Sequence, residues 1–308
     1  MPEKIGMIGL GRMGGNMARR IARAGLEVVA WDRAAGARSA IAAEPRVSVV
    51  DTLAALVGGL AAPRVVWLML PAGAPTEETL NELRGLLAPG DVIVDGANAW
   101  YRDSMRRARD LEAQGLQYVD AGVSGGVWGI VSGYGLMVGG TVEAVARVEP
   151  FLRALAPARE AGWLRCGPSG AGHFTKMVHN GIEYGLMQAY AEGFALMRAR
   201  PDLELDVAAI AESWRHGTVI RSWLLDLTAE FLAEDADLEA IAPVVADSGE
   251  GRWTAIEAVE LGVPTPVMTL ALMQRFASQG RGDYADRLLA RMRQSFGGHA
   301  VTRSNSGG

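Results

Sequence analysis

KIGMIGLGRMGGNMARRIARAGLEVVAWDR, residues 4–33, decides the fold. An apolar run at 4–8 reads as a buried strand, and Gly9, Gly11 and Gly14 follow it as G-x-G-x-x-G at the start of a helix predicted over 12–24. Glycines there permit a tight turn, close approach of the backbone to a pyrophosphate, and close packing of helix on strand, while the helix N-terminus favours negative charge. A second strand at 27–31 ends in Asp32, eighteen residues after Gly14. An acidic side chain at that place accepts hydrogen bonds from the adenosine ribose hydroxyls and repels a 2'-phosphate. The segment therefore reads as a Rossmann-type βαβ unit that binds NAD in preference to NADP. Gly9, Leu10, Gly11, Arg12, Met13 and Gly14 form the loop. Arg33 keeps NADP open as the alternative, because it can stack on adenine or meet a 2'-phosphate.

Outward from this unit, short apolar runs at 65–70, 91–94, 117–120 and 136–138 alternate with amphipathic stretches at 76–87, 101–114 and 142–155. That rhythm predicts a doubly wound, mostly parallel sheet. From Gly170 the strand signal stops, and helical periodicity runs to about residue 295. The reading is an α/β dinucleotide-binding domain over 1–165 followed by an all-α domain over 166–308, with a disordered tail from about 303.

The 308 residues suffice for two cores, and a formal charge of −5 gives no basic footprint, so neither nucleic acid nor a membrane surface is an expected partner. A single cysteine, Cys166, excludes an intrachain disulfide and a cysteine-based zinc cluster; no metal is expected, and the compartment reads as the cytoplasm.

Within the helical part, HFTKMVHNGIEYG (173–185) places Lys176, His179, Asn180, Glu183 and Tyr184 at helical offsets 0, 3, 4, 7 and 8, on one face. A deprotonatable amine, an imidazole, an amide, a carboxylate and a phenol on one stripe point to binding and proton transfer. Lys176 and Glu183 miss the i,i+4 spacing of a surface ion pair, and the apolar flanks, including Ile182, Leu186 and Met187, predict a buried helix. Three segments at predicted strand ends should rim a common cleft. Leu70-Pro71-Ala72 would contact cofactor. Asn98 in DGANAW suits a hydroxyl or the nicotinamide amide, and Ser124-Gly125-Gly126 in VSGGVWG suits a carboxylate. Each of these is also an ordinary turn composition. His173, His216 and the tryptophans read as packing residues, with Trp128 a candidate wall of the cleft.

Taken together, GLGRMGGN, DGANAWYRDS, VSGGVWG, GAGHFTKMVHNGIEYG, GRWTAIEAVELGVP and RQSFGGH give the chain a resemblance over essentially its whole length. It resembles the 6-phosphogluconate dehydrogenases of the short bacterial form, in the β-hydroxyacid dehydrogenase superfamily. The resemblance implies oxidative decarboxylation of 6-phosphogluconate to ribulose 5-phosphate and CO2, with Lys176 as base and Glu183 as acid. It further implies that Ser124, Gly125, Gly126, His179 and Asn180 hold the carboxylate and hydroxyls, with Asn98 between nicotinamide and substrate. Tyr184 and Arg275 would bind phosphate. Arg293 and His299 would come from a neighbouring subunit, which implies a homodimer or homotetramer. The chain departs from the family at Ser248 and Glu250, where the long forms carry a phosphate-binding lysine and threonine, and at Ala97 and Ala99, which flank Asn98 in place of glycine and serine. Glu250 beside a dianion would repel it unless Arg252 or Arg275 compensates. The alternatives are a dehydrogenase of another aldonate or small 3-hydroxy acid and, less favoured, a non-catalytic dinucleotide-binding protein.

Overall fold

A computed structural model describes residues 4–297 and 300–302. Eight strands form one sheet: β1 (Lys4–Ile8), β2 (Glu27–Trp31), β3 (Val47–Val49), β4 (Val65–Leu68), β5 (Val92–Asp95), β6 (Gln117–Ser124), β7 (Gly135–Gly140) and β8 (Trp163–Gly167). Their order is β3-β2-β1-β4-β5-β6-β7-β8. All neighbours are parallel except β6 and β7, which pair antiparallel from Val119 with Gly140 to Ser124 with Gly135. Strand order runs outward in both directions from β1 and β4, so the glycine loop sits at the topological switch point, where ligands bind such sheets.

The connecting helices are α1 (Arg12–Arg23), α2 (Ala35–Ser39), α3 (Leu53–Gly58), α4 (Ala74–Arg84), α5 (Tyr101–Glu112), α6 (Gly129–Ser132) and α7 (Val142–Leu155). The two-residue period of the strands sends side chains to two separate cores. Ile5 and Met7 meet Met17, Ile21, Val148 and Phe151 on one face, whereas Ile8 joins Leu53, Leu56, Leu80, Leu83 and Leu111 on the other. This is the expected doubly wound arrangement. Arg20 fastens α1 to the end of α7 by donating to Leu155 O at 3.0 Å and Ala156 O at 2.7 Å.

Beyond β8 the described chain is helical: α8 (Ala171–Arg198), α9 (Val207–Trp214), α10 (Trp223–Glu234), α11 (Glu250–Leu261), α12 (Pro266–Ser278) and α13 (Asp283–Gly297). The chain divides into two compact units, Met1–Val178 and His179–Gly308, so the division falls inside α8. In the second unit Phe194, Val207, Ala211, Leu225, Ala229 and Leu232 make one small core, and Tyr184 with Ala271 and Leu272 makes another. Two sequence expectations change. Strand β6 continues four residues past Asp120, so Ser124 ends a strand rather than lying within a loop. Burial of α8 is incomplete: Met177 is covered, but Ile182 is 51% exposed, Leu186 45% and Met187 40%. The expected disordered tail from residue 303 lies outside the described residues.

Candidate active site

Gly9 has φ +89°, and a Cβ there would stand 2.4 Å from Met69 O. A Cβ on Gly14 would fall 1.9 Å from Gly9 O, so helix and strand approach closely only because both residues are glycine. A Cβ on Gly11 would meet nothing within 4 Å, which leaves open space in front of the loop. The N-terminus of α1 has no side-chain cap and no acidic residue in its first turn, so its N–H groups remain available to an anion. Loop and strand are tied together by Asp32, whose Oδ2 accepts the Leu10 N–H at 2.7 Å and whose Oδ1 accepts the Ala34 N–H at 2.7 Å. A carboxylate offers about four lone-pair directions, so two remain for ribose hydroxyls. Arg33 is 80% exposed and pairs with Glu78 at 3.6 Å, away from any buried contact. These residues fit a dinucleotide.

The parallel strands β1, β4, β5 and β6 bring their carboxyl ends to one edge. After β4, Leu70 is half-buried while Pro71 and Ala72 are exposed, and Thr76 Oγ1 donates to Pro71 O at 2.8 Å. After β5, buried Asp95 accepts the Ala97 N–H at 3.1 Å and presents exposed Asn98. At the end of β6, Gly125 has φ +123° and Gly126 φ +52°, conformations that glycine adopts without strain. Trp128 beside them is 54% exposed.

Lys176 is delivered to this edge by contacts that the pattern of residues does not advertise. Asp120 in β6, fully buried, accepts the Gly170 N–H at 2.7 Å on Oδ1 and the His173 N–H at 2.8 Å on Oδ2. A carboxylate is thereby placed on the orphan donors at the start of α8, where the helix dipole favours it. Gly122, Gly139 and Gly172 make the approach possible: a Cβ on Gly172 would lie 2.5 Å from both Asp120 O and Met137 O, and one on Gly139 would lie 2.4 Å from Asp120 Oδ1. A Cβ on Gly122 would stand 2.3 Å from Lys176 Cβ. Lys176, 8% exposed, therefore packs on β6 two residues before Ser124. Gly122→Ala must push the helix off the sheet, and we expect a loss of about 1–3 kcal/mol, measured as a lower midpoint of thermal unfolding; an unchanged midpoint would contradict the close packing.

In the second unit, His179 Nδ1 lies 3.3 Å from Asn180 Oδ1 and 3.8 Å from Glu183 Oε2, joining three of the stripe residues. Tyr184 is 5% exposed, and the Arg275 guanidinium stacks on its ring at 3.4 Å from the centroid. Its hydroxyl lies 3.2 Å from Ser248 Oγ, which donates to Glu250 Oε2 at 2.6 Å. Glu250 is 4% exposed and opens α11, so its charge is met by a hydroxyl and a helix N-terminus. Arg252 is committed to Asp247, which leaves Arg275 as the cation against Tyr184. Arg293 is exposed on α13, and His299 lies outside the described residues. Asp120, Asp95 and the three glycines are the supporting residues the sequence reading missed; their only signal was glycine in and beside apolar strands.

A family model described as the NAD binding domain of 6-phosphogluconate dehydrogenase matches residues 4–166, and one described as the 6-phosphogluconate dehydrogenase C-terminal domain matches 172–307. A 6-phosphogluconate dehydrogenase of Haloferax volcanii, named as NAD(+)-dependent and decarboxylating, is 43% identical over 303 residues, covering 98% of this chain and 99% of the relative. A putative 6-phosphogluconate dehydrogenase of Bacillus subtilis is 39% identical, covering 97% and 99% respectively. Among solved structures, the 6-phosphogluconate dehydrogenase of Plasmodium falciparum superposes with a TM-score of 0.82 at 30% identity, covering 99% of this chain and 67% of that one.

Proposed function

Because this chain belongs to the 6-phosphogluconate dehydrogenase family, we propose that Lys176 and Glu183 are the base and acid of an NAD-dependent oxidative decarboxylation of 6-phosphogluconate. The observation that carries the assignment is the burial of Lys176 against Gly122, at the sheet edge that also carries the glycine loop. Bound at that loop, NAD supplies the acceptor for the hydride that leaves C3. Gly9 to Gly14 would hold its pyrophosphate at the start of α1, Asp32 its adenosine ribose, and Leu70, Pro71, Ala72 and Asn98 its nicotinamide half.

Lys176 takes the proton of the C3 hydroxyl as C3 is oxidised to a ketone. The resulting 3-keto acid loses CO2, because the electrons of the breaking C1–C2 bond pass to the ketone oxygen. Protonated Lys176 hydrogen-bonds that oxygen and stabilises the enolate. Glu183 donates a proton to the carbon left bare by CO2, giving ribulose 5-phosphate. Ser124, Gly125, Gly126, His179 and Asn180 orient the carboxylate and hydroxyls. Tyr184 and Arg275 take the phosphate, with Arg275 offsetting Glu250. We place Arg293 at the site of a neighbouring subunit, so the enzyme works as at least a dimer; His299, its partner in the family resemblance, lies outside the described residues. No helix among the described residues is long and apolar enough to cross a membrane. We place the enzyme in the cytoplasm, a reading supported by its single cysteine and its sugar-phosphate substrate.

The cofactor assignment is tested at Asp32. Removing its carboxylate deletes the ribose contact and releases the Leu10 N–H. For Asp32→Ala we expect the KM for NAD to rise more than ~tenfold, equivalent to ~1.4 kcal/mol, with no comparable loss for NADP. Little change with NAD would remove Asp32 from the ribose site.

A further inference from the structure

Helix α5 carries Arg102, Arg106, Arg107 and Arg109, and of these only Arg107 is buried, at 1% exposed. The three nitrogens of its guanidinium are divided between two carboxylates on different elements. Nη1 donates to Asp95 Oδ2 at 2.9 Å, Nε donates to Glu77 Oε1 at 3.0 Å, and Nη2 lies 2.9 Å from the same Glu77 oxygen. Asp95 ends β5 and is fully buried; its Oδ2 also accepts the Tyr118 hydroxyl at 2.8 Å, and its Oδ1 accepts the Ala97 N–H at 3.1 Å. Glu77 stands in the first turn of α4 and pairs with Arg106 as well. Each side-chain nitrogen of Arg107 and both carboxylate oxygens of Asp95 therefore have partners.

Each carboxylate is fastened to one of the loops assigned to the nicotinamide half of the cofactor. Asp95 holds the N–H of Ala97, the residue before Asn98. The Glu77 N–H donates to Gly73 O at 3.1 Å, and its neighbour Thr76 donates to Pro71 O at 2.8 Å, so the first turn of α4 carries the Pro71 bend. Otherwise α4, α5 and β5 share an apolar core through Leu80, Leu83, Ile93, Ala108 and Leu111. Apolar contact is non-directional and fixes no angle between elements, whereas a planar guanidinium presents its donors in a rigid fork. Stability alone gives no reason for an arginine here, because a buried ion pair is on balance no better than apolar packing of the same volume. Neutralising Asp95 does not require the bonds to Glu77 either, which Arg106 already serves.

We propose that Arg107 is a positioning residue that braces the Pro71 loop against the Asn98 loop and so sets the slot for the nicotinamide half of NAD. The proposal rests on the reading that these two loops contact that half.

Arg107→Lys keeps the positive charge, but one ammonium cannot reproduce a fork shared by two carboxylates. Binding of NADH is compared with binding of ADP-ribose, which carries the adenosine and pyrophosphate but no nicotinamide, both well below the unfolding midpoint of the variant. A slot that is no longer pre-organised weakens only the ligand that enters it, so the Kd for NADH should rise about tenfold while that for ADP-ribose stays within about twofold. The KM for NAD should rise in step, with the KM for 6-phosphogluconate within about threefold of wild type. Glu77→Gln cuts only the α4 arm of the brace and should give the same selective loss at about threefold; it decides alone if Arg107→Lys does not fold. Equal weakening of both ligands, or a lower midpoint with both affinities unchanged, would make Arg107 a residue of the fold only and overturn the proposal. Asn98→Ala separates the brace from the reading beneath it. Weaker NADH binding in Asn98→Ala but not in Arg107→Lys overturns the brace alone. Unchanged NADH binding and turnover in Asn98→Ala overturns the assignment of that loop to the cofactor, and the brace with it.

Discussion

Lys176→Met is expected to lower kcat for NADH formation from 6-phosphogluconate by roughly 10²–10⁴-fold, the contribution of a positioned base. In the proposed mechanism the same amine serves two steps, first taking the C3 hydroxyl proton and then stabilising the enolate, so the upper part of that range is the expected result. Methionine has similar length and no charge, and Lys176 is 8% exposed, so the replacement keeps the packing on Gly122 while removing the proton acceptor. NAD binding, read by titration, should be unaffected because the glycine loop and Asp32 are untouched. A variant within about threefold of wild type would show that another group is the base.

Glu183→Gln separates the second half of the reaction from the first. Glutamine is isosteric but cannot donate the proton that the enediol carbon requires. Oxidation and CO2 loss precede that step, so mixing the variant with substrate and NAD should give a burst of about one NADH per site. Turnover after the burst should fall roughly 10²-fold or more. Half-exposed Glu183 has His179 at 3.8 Å, and no core contact is lost in the change. Wild-type turnover would remove Glu183 from the mechanism. Loss of the burst together with turnover would assign it to hydride transfer or binding instead.

What the sequence disclosed follows from the range of the interactions involved. Strands Lys4–Ile8 and Glu27–Trp31 and helix Val142–Leu155 match their expected bounds, because the strands are continuous buried apolar runs beside glycines and the helix has a periodic buried face and a Thr141 cap. Strand Val47–Val49 has three residues and is half exposed, and Trp163–Gly167 is an edge strand with little alternation in burial, so neither gives the strong pattern of a central strand. Residues 121–124, Ala-Gly-Val-Ser, resemble a turn in composition; their strand character comes from pairing with the antiparallel β7.

At the site, the glycine loop, Asp32 and the polar stripe of α8 were legible because each is a local pattern with a chemical reason. The supports were not. Asp120 reaches N–H groups 50 and 53 residues away, and nothing near it in sequence shows that a helix start will arrive there. Arg107 sits in YRDSMRRARDLE, an amphipathic stretch in which it is one of four arginines, yet it is 1% exposed against Asp95, with Glu77 also bound to it. His173 looked like a packing residue, yet its Nδ1 lies 2.6 Å from the hydroxyl of Ser104 in α5, 69 residues away in sequence. Glu250 looked repulsive to a phosphate from its charge alone; the hydroxyl of Ser248 and the start of α11 account for its burial.

NAD-preferring decarboxylation of 6-phosphogluconate stands on the two matching family models and on the fit of the glycine loop and Asp32 to a dinucleotide. The most direct test follows NADH and NADPH formation together with CO2 release on 6-phosphogluconate, with gluconate and 3-hydroxyisobutyrate in parallel. We expect one CO2 per reduced cofactor, NAD used in preference to NADP, and turnover of 6-phosphogluconate alone. Turnover of another acid with none of 6-phosphogluconate, or reduction without CO2, would contradict it.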